Sequence, residues 1–389
     1  MLDVIASIGR DPHTGGYRRY AWNDADMELR EWFAGEAAAR SMELVEDGNG
    51  NQFAWWGTGT NALLIGSHLD SVPDGGAYDG PLGVVSSFAA VDRLRAEEFT
   101  PDRPVVVANF ADEEGARFGI ACAGSQLVTG VLSADTALSL KDRDGLTLAE
   151  VMTARGRDPR AVGRTDLLDS VGAFVELHVE QGRSLIHSGA AVGVATAIWP
   201  HGRWRLDFCG EANHAGATLM EDRHDPMQAY AATVLAARRL ATDAGARATF
   251  GRLEVEPGGT NAIPSRVRAW LDARAADEGR LDQLVDQLVH QARAAADPDG
   301  TTVTLTTESV SPAVEFDGPL RDRLASLLDA PVLPTGAGHD AGVLSPHVPT
   351  AMLFVRNPTG VSHSPAEFAE DSDCEAGVEA LAAVVRDLA

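Results

Sequence analysis

The sequence predicts an α/β chain: a mixed-sheet layer that opens and closes the polypeptide, interrupted by an inserted ferredoxin-like α+β domain. Three observations carry this. Short apolar runs at Ala62 to Gly66, Pro104 to Phe110, Gly172 to Leu177 and Ala351 to Val355 read as strands buried on both faces, as in a sheet covered by helices. From Arg203 the pattern changes to alternation, with Trp204, Leu206 and Phe208 set against Arg203, Arg205 and Asp207, the mark of a sheet with one wet face. The 389 residues, 44% of them hydrophobic, also exceed what one core usually supports, so two domains are expected.

Taken in order, Asn23 caps a helix whose Ala25, Leu29, Trp32 and Phe33 share a face. Met42 to Glu46 and Gln52 to Trp56 flank Asp47-Gly48-Asn49-Gly50, a hairpin signal. A helix from Pro81 to Arg95 separates the first two buried strands. Beyond the first alternating strand, Asp225-Pro226 opens a helix with Met227, Tyr230, Val234 and Leu235 on one side. Strands at Ala248 to Val255 and Ser265 to Arg274, a helix marked by Leu281, Leu284, Val285 and Leu288, and a strand at Thr301 to Thr307 follow. That order, β-α-β-β-α-β, is ferredoxin-like. A helix from Pro319 and the strand Ala351 to Val355 resume the first pattern, so residues 197–313 are expected as an insertion within a domain built from 1–196 and 314–389.

Composition narrows the function. A formal charge of -25 disfavours an extended phosphate-binding surface, so nucleic acid is not an expected partner. No apolar run is long enough for a membrane span, and the first residues do not read as a secretory signal. Cys122, Cys209 and Cys374 are widely spaced and odd in number, which reads as free thiols in a reducing, cytoplasmic setting. Lys141 is the only lysine, which argues against Schiff-base and P-loop chemistry.

The polar residues at the strand ends carry the chemistry. The first buried run leads into Ser67-His68-Leu69-Asp70, where a period of two puts Asp70 beside His68 as a carboxylate able to orient it. Tyr78-Asp79-Gly80 follows in a glycine-rich loop, and Asp112-Glu113-Glu114 directly follows the second run. Adjacent acids in a dry cleft repel unless cations neutralise them, so this trio reads as one ligand and one base. Glu176-Leu177-His178-Val179-Glu180-Gln181 ends a third run, and Ser362-His363-Ser364-Pro365 comes after the last. Imidazoles with carboxylates suit zinc, manganese, cobalt or nickel, and an aspartate can bridge two ions.

At these residues the chain resembles the carboxypeptidase G and aminoacylase superfamily. Within it the chain is similar to the branch of allantoate amidohydrolase, N-carbamoyl-L-amino-acid hydrolase and β-ureidopropionase. The marks are Gly66-Ser67-His68-Leu69-Asp70-Ser71, Asp112-Glu113-Glu114-Gly115-Ala116-Arg117-Phe118, His178-Val179-Glu180-Gln181-Gly182, Asn213-His214-Ala215-Gly216 and Gly259-Thr260-Asn261-Ala262-Ile263-Pro264. The match begins at Gly16-Tyr17-Arg18-Arg19. The resemblance implies two divalent ions per subunit, manganese or zinc first and cobalt or nickel next. Asp79 would bridge them, His68 and His178 holding one and Glu114 and His363 the other, with Glu113 as general base on a water between the metals. It implies a cis peptide at Asp79-Gly80, and His339 and Asp340 in a loop near the metals. It implies a substrate site of Gln181, Asn261, Arg274 and His214, the last acting across a homodimer formed through the inserted lid domain.

The expected reaction is hydrolysis of the ureido C–N bond of allantoate, or of a related N-carbamoyl amino acid, releasing ammonia and carbon dioxide. N-carbamoyl-L-amino-acid hydrolase or β-ureidopropionase is the first alternative. A dipeptidase or aminoacylase of the same fold is the next, disfavoured because His178 stands where the resembling peptidases carry an acid. A metal-free binding protein is the non-enzyme alternative, and the full set of five ligands with Glu113 weighs against it.

Overall fold

The computed structural model describes residues 2–389. It divides into two compact units, one running up to Ala197 and resuming at Glu315–Ala389, the other comprising Ile198–Val314.

The first unit is built on a nine-stranded mixed sheet. Eight strands lie in the order Glu43–Glu46, Gln52–Trp56, Val105–Phe110, Ala62–His68, Val171–Val179, Thr350–Val355, Val192–Ile198 and Val314–Glu315, and Val332–Thr335 pairs with Val192–Ile198. The central four, from Val105–Phe110 to Thr350–Val355, run parallel. Three of these are buried along their whole length and Val171–Val179 nearly so, which is why their sequences carry no polar alternation. Helices Pro81–Ala96 and Asp371–Leu388 supply Leu82, Phe88, Val91, Val378, Leu381 and Val385 to the main core. A satellite core of Trp22, Phe118, Leu127, Val151 and Met152 gathers the short helices Ala123–Thr129 and Leu148–Ala154. Asn23 caps helix Asp24–Ala39 by accepting from the Asp26 N–H. The four parallel strands therefore deliver their carboxyl ends to one edge of the sheet, where open α/β folds place their sites.

The second unit is a four-stranded antiparallel sheet in the order Thr302–Ser311, His201–Cys209, Arg266–Arg274, Arg247–Glu256. Trp204, Leu206, Phe208, Val267, Ala269 and Leu271 face a core closed by helices Pro226–Ala244 and Glu278–Ala296. The face of the first helix differs from the expectation. Pro226, Ala229, Thr233, Ala237 and Ala241 are its buried residues, Met227 and Tyr230 pack partly buried against the same core as expected, and Leu235 is exposed. The cause is steric, since small residues at fourfold spacing allow close approach, and larger side chains flank the contact.

Candidate active site

His68 is the last residue of strand Ala62–His68, and His178 the penultimate residue of Val171–Val179. Both are completely buried. The Nδ1 of His178 donates to the Val179 carbonyl at 2.9 Å, which leaves Nε2 as the ring's lone-pair side, and that atom lies 3.0 Å from Asp79 Oδ1. The Nδ1 of His68 faces the Asp70 carbonyl at 3.2 Å and the Asp70 carboxylate at 3.4 Å. Its Nε2 is buried without a hydrogen-bond partner, 3.6 Å from Asp79 Oδ1. Asp79, His68 and His178 thus converge their ligand atoms on one point.

A second cluster shares the same aspartate. Asp79 Oδ2 lies 3.4 Å from His363 Nε2, which is 3.7 Å from Glu114 Oε2. In each trio the ligand atoms lie within 4.8 Å of one another. Two three-ligand clusters joined by one carboxylate, with His68 Nε2 and Glu114 Oε1 buried and unpaired, fit a pair of divalent cations, because mixed imidazole and carboxylate donors need a positive centre to satisfy them.

Glu113 belongs to neither trio. Its Oε2 stands 3.7 Å from His68 Nε2, and its Oε1 accepts from the Cys122 thiol at 3.2 Å. Asp70 fixes this segment, accepting from the Glu113 N–H at 3.1 Å and the Glu114 N–H at 3.0 Å. Burial, followed by the charges of Glu114, Asp340 and Asp70, pushes the Glu113 carboxyl well above the usual range, against the opposing pull of His68. Burial with Asp79 raises Glu114 to about 7. Asp79 itself is held well below its ordinary value: burial opposes this, and His178, His363 and His68 outweigh it.

The backbone is bent to make this possible. Asp112, Cys122 and His363 adopt left-handed φ of 53°, 53° and 54°, at a cost of about 1–2 kcal/mol each for L-residues. Gly80 has φ 76°, and a Cβ there would stand 2.4 Å from the His68 ring. The Asp79–Gly80 peptide is trans, and the cis peptide bond among the described residues is Glu256–Pro257, so the expectation at Asp79-Gly80 is corrected. The turn is made instead by the positive φ of Gly80, whose N–H donates to His178 Nε2 at 3.2 Å.

Other expected residues divide. Gln181 reaches the clusters, its Nε2 donating to Asp79 Oδ2 at 2.8 Å. His339 lies against His178 with ring centroids 4.5 Å apart. Asp340 accepts from Ser125 Oγ at 2.5 Å, and burial with Glu176 raises it to about 8. In the second unit, His214 and Asn261 sit together, since Asn213–His214 pairs with Ala262–Ile263. The Nδ1 of His214 accepts from the Gly216 and Ala217 N–H groups at 3.0 and 3.1 Å, which leaves the proton of a neutral ring on Nε2. Arg274 is at the other end of strand Arg266–Arg274, in register with His201 where the chain enters the unit. At about 3.3 Å per residue the strand holds it more than 20 Å from the Asn261 turn.

Sequence reasoning missed several contributors. Glu367 accepts from the Tyr78 and Asp79 N–H groups, both at 2.9 Å, and Glu176 accepts from Ser67 Oγ at 2.7 Å and the Ala341 N–H at 2.9 Å. Cys122 and Ser362 are likewise seen only in the fold. The one available signal was an acid within a buried segment, as at Glu176.

A sequence profile described as peptidase family M20/M25/M40 matches residues 64–387. The N-carbamoyl-L-amino acid amidohydrolase of Geobacillus stearothermophilus is 37% identical, with 100% of this chain and 97% of the relative covered. The allantoate amidohydrolase of Escherichia coli K12 is 32% identical over 100% of this chain and 96% of its own. A crystal structure of a hydantoinase/carbamoylase family amidase from Burkholderia ambifaria superposes with a TM-score of 0.86 at 31% identity, covering 100% of this chain and 96% of that one. With paired ligand clusters at its strand ends and full-length likeness to these enzymes, the chain belongs to the peptidase family M20/M25/M40, among its hydrolases of carbon–nitrogen bonds other than peptide bonds.

Proposed function

We propose that the chain hydrolyses the ureido C–N bond of a small carboxylate-bearing substrate, with His68, His178 and Asp79 holding one divalent cation and Asp79, Glu114 and His363 a second. The carrying observation is the pair of trios meeting at Asp79 with a non-ligand carboxylate, Glu113, beside them. Manganese or zinc suits the donor set first, cobalt or nickel next. When bound, such cations supply Lewis acidity that brings the pKa of a water towards neutrality.

Glu113 is the general base in this reading. Its carboxylate takes a proton from water as the water oxygen bonds to the ureido carbon, then returns it to the nitrogen as the C–N bond breaks. Ammonia leaves with that proton, and the carbamate that remains then loses carbon dioxide, its own C–N bond breaking as the nitrogen takes up a proton, to give the amino compound. His214, with its Nε2–H free to donate, polarises the scissile carbonyl from the second copy of a homodimer assembled through Ile198–Val314. Asn261 shares His214's end of the unit and travels with it. Arg274 binds the substrate carboxylate through its planar fork, and Gln181 completes the pocket beside Asp79.

Allantoate and N-carbamoyl-L-amino acids both present a carboxylate beside a ureido group. The higher identity to the N-carbamoyl-L-amino acid enzyme, 37% against 32%, favours assaying that class alongside allantoate from the start. Ammonia release from the metal-loaded protein, measured across both classes and a set of dipeptides, is the test. Turnover of ureido acids alone is expected, and turnover of dipeptides alone would remove this reading.

A further inference from the structure

We propose that Glu367 is the positioning residue that sets the second cation position, by tying the loop that carries Asp79 to the loop that carries His363. This rests on the paired-cation reading and assigns to a residue outside both trios the task of holding two of the second trio's members. The carboxylate is almost fully buried, 4% exposed, and both of its oxygens are engaged. Oε1 accepts from the Tyr78 and Asp79 N–H groups at 2.9 Å each, and Oε2 accepts from Ser362 Oγ at 2.9 Å. Ser362 directly precedes His363, and the Glu367 N–H closes a turn onto the Ser364 carbonyl at 3.0 Å. One side chain therefore joins segments that lie almost 290 residues apart in sequence.

The surroundings are cut to admit it. A Cβ at Gly76 would stand 2.3 Å from Glu367 Oε1 and 2.5 Å from its Cδ, so only glycine leaves room for the carboxylate at that point in the Asp79 loop. The two trios differ in what else supports them. His68 and His178 belong to adjacent parallel strands held by their ladder bonds, and they keep their places without Glu367. His363 lies in a loop with left-handed backbone, and Asp79 follows a loop whose N–H groups end on Glu367. Removing the clamp thus loosens two of three ligands at the second position, but one of three at the first.

The experiment is calorimetric titration of the metal-stripped protein with Mn²⁺ or Zn²⁺. The wild-type chain is expected to take up two ions. E367A, which removes all three bonds of the clamp, is expected to lose roughly tenfold or more in affinity for the second ion and clearly less for the first, which shares only Asp79 with it. E367Q retains an acceptor for the two N–H groups and a donor for Ser362 Oγ, so it is expected to recover most of the loss. G76A, which pushes the carboxylate out, is expected to behave as E367A. If E367A fails to fold, E367D, which keeps the charge but draws the carboxylate back from the Tyr78 and Asp79 N–H groups, is expected to weaken the second ion selectively. Equal weakening of both ions, wild-type binding by E367A, or an E367Q as impaired as E367A would each overturn the proposal. A wild-type chain that binds only one ion would instead sink the paired-cation reading beneath it.

Discussion

A proton carrier in a site crowded with acids must stay off the cations while remaining within reach of the water. In the proposed mechanism that carrier is Glu113, whose carboxylate is outside the two trios, 3.7 Å from the His68 ring, and accepts from the Cys122 thiol. E113Q keeps the shape and removes the proton acceptor, so kcat is expected to fall by about 10²–10⁴-fold while elemental analysis still finds two ions. Loss of an ion together with activity would move Glu113 into the ligand set. The acid trio Asp112-Glu113-Glu114 was legible in the sequence because three charges directly after a buried strand demand compensation. The left-handed turn at Asp112, which sends Glu113 and Glu114 to different partners, left no trace in composition. Cys122, Ser362 and Glu367 were illegible for a related reason: each acts through a partner fixed by tertiary folding, and no local period marks such a residue.

Among the elements, the loop leaving strand Ala62–His68 is closely constrained at Gly80. At Gly80 the chain turns with φ 76° directly beneath the His68 ring, donates its N–H to His178, and starts helix Pro81–Ala96. G80A combines an unfavourable φ, costing about 1–3 kcal/mol, with a Cβ that would stand 2.4 Å from the imidazole. Its expected signature is a lower melting temperature with reduced occupancy of the cation position shared by His68, His178 and Asp79. A variant that melts early but binds two ions normally would show that the ring can yield. The four central strands were readable because burial on both faces leaves apolar runs. The helices of six and seven residues between Ala123 and Ala154 were not, since such lengths are too short for a period of 3.6 to declare itself, and strands Val192–Ile198 and Val332–Thr335 were hidden by Gly193, Ala195 and Ala197 in the one and by Pro334 in the four residues of the other. The substrate candidates show a similar limit: Asn261 and Arg274 are close in sequence, yet the strand between them carries the arginine to the opposite end of the sheet.

Across the whole molecule, a chain of formal charge -25 concentrates buried acids at one sheet edge, and that has a consequence for stability without metal. Burial and Asp79 raise Glu114 from 4.5 to about 7, and burial and Glu176 raise Asp340 from 3.8 to about 8. Each binds its proton more tightly folded than unfolded, so its contribution is complete below pH ~4 and drains away as pH climbs through 7 and 8. His363 acts in the same direction: its hydrogen bond to Asp79 outweighs its burial and, with Glu114, raises it from 6.5 to about 9, so its contribution is present below 6.5 and lost through 9. His339, depressed by burial and by His178, has the opposite sign, but its contribution is already complete above 6.5. Between pH 6.5 and 9 the shifts therefore agree, and the melting temperature of chelator-treated protein is expected to fall steadily across that window. Cations take over the role of the missing protons and bind better as the ligands deprotonate, so metal-loaded protein is expected to hold its melting temperature or gain over the same range. Parallel pH profiles for the two forms would show that these acids do not share a dry cluster whose charge the cations neutralise.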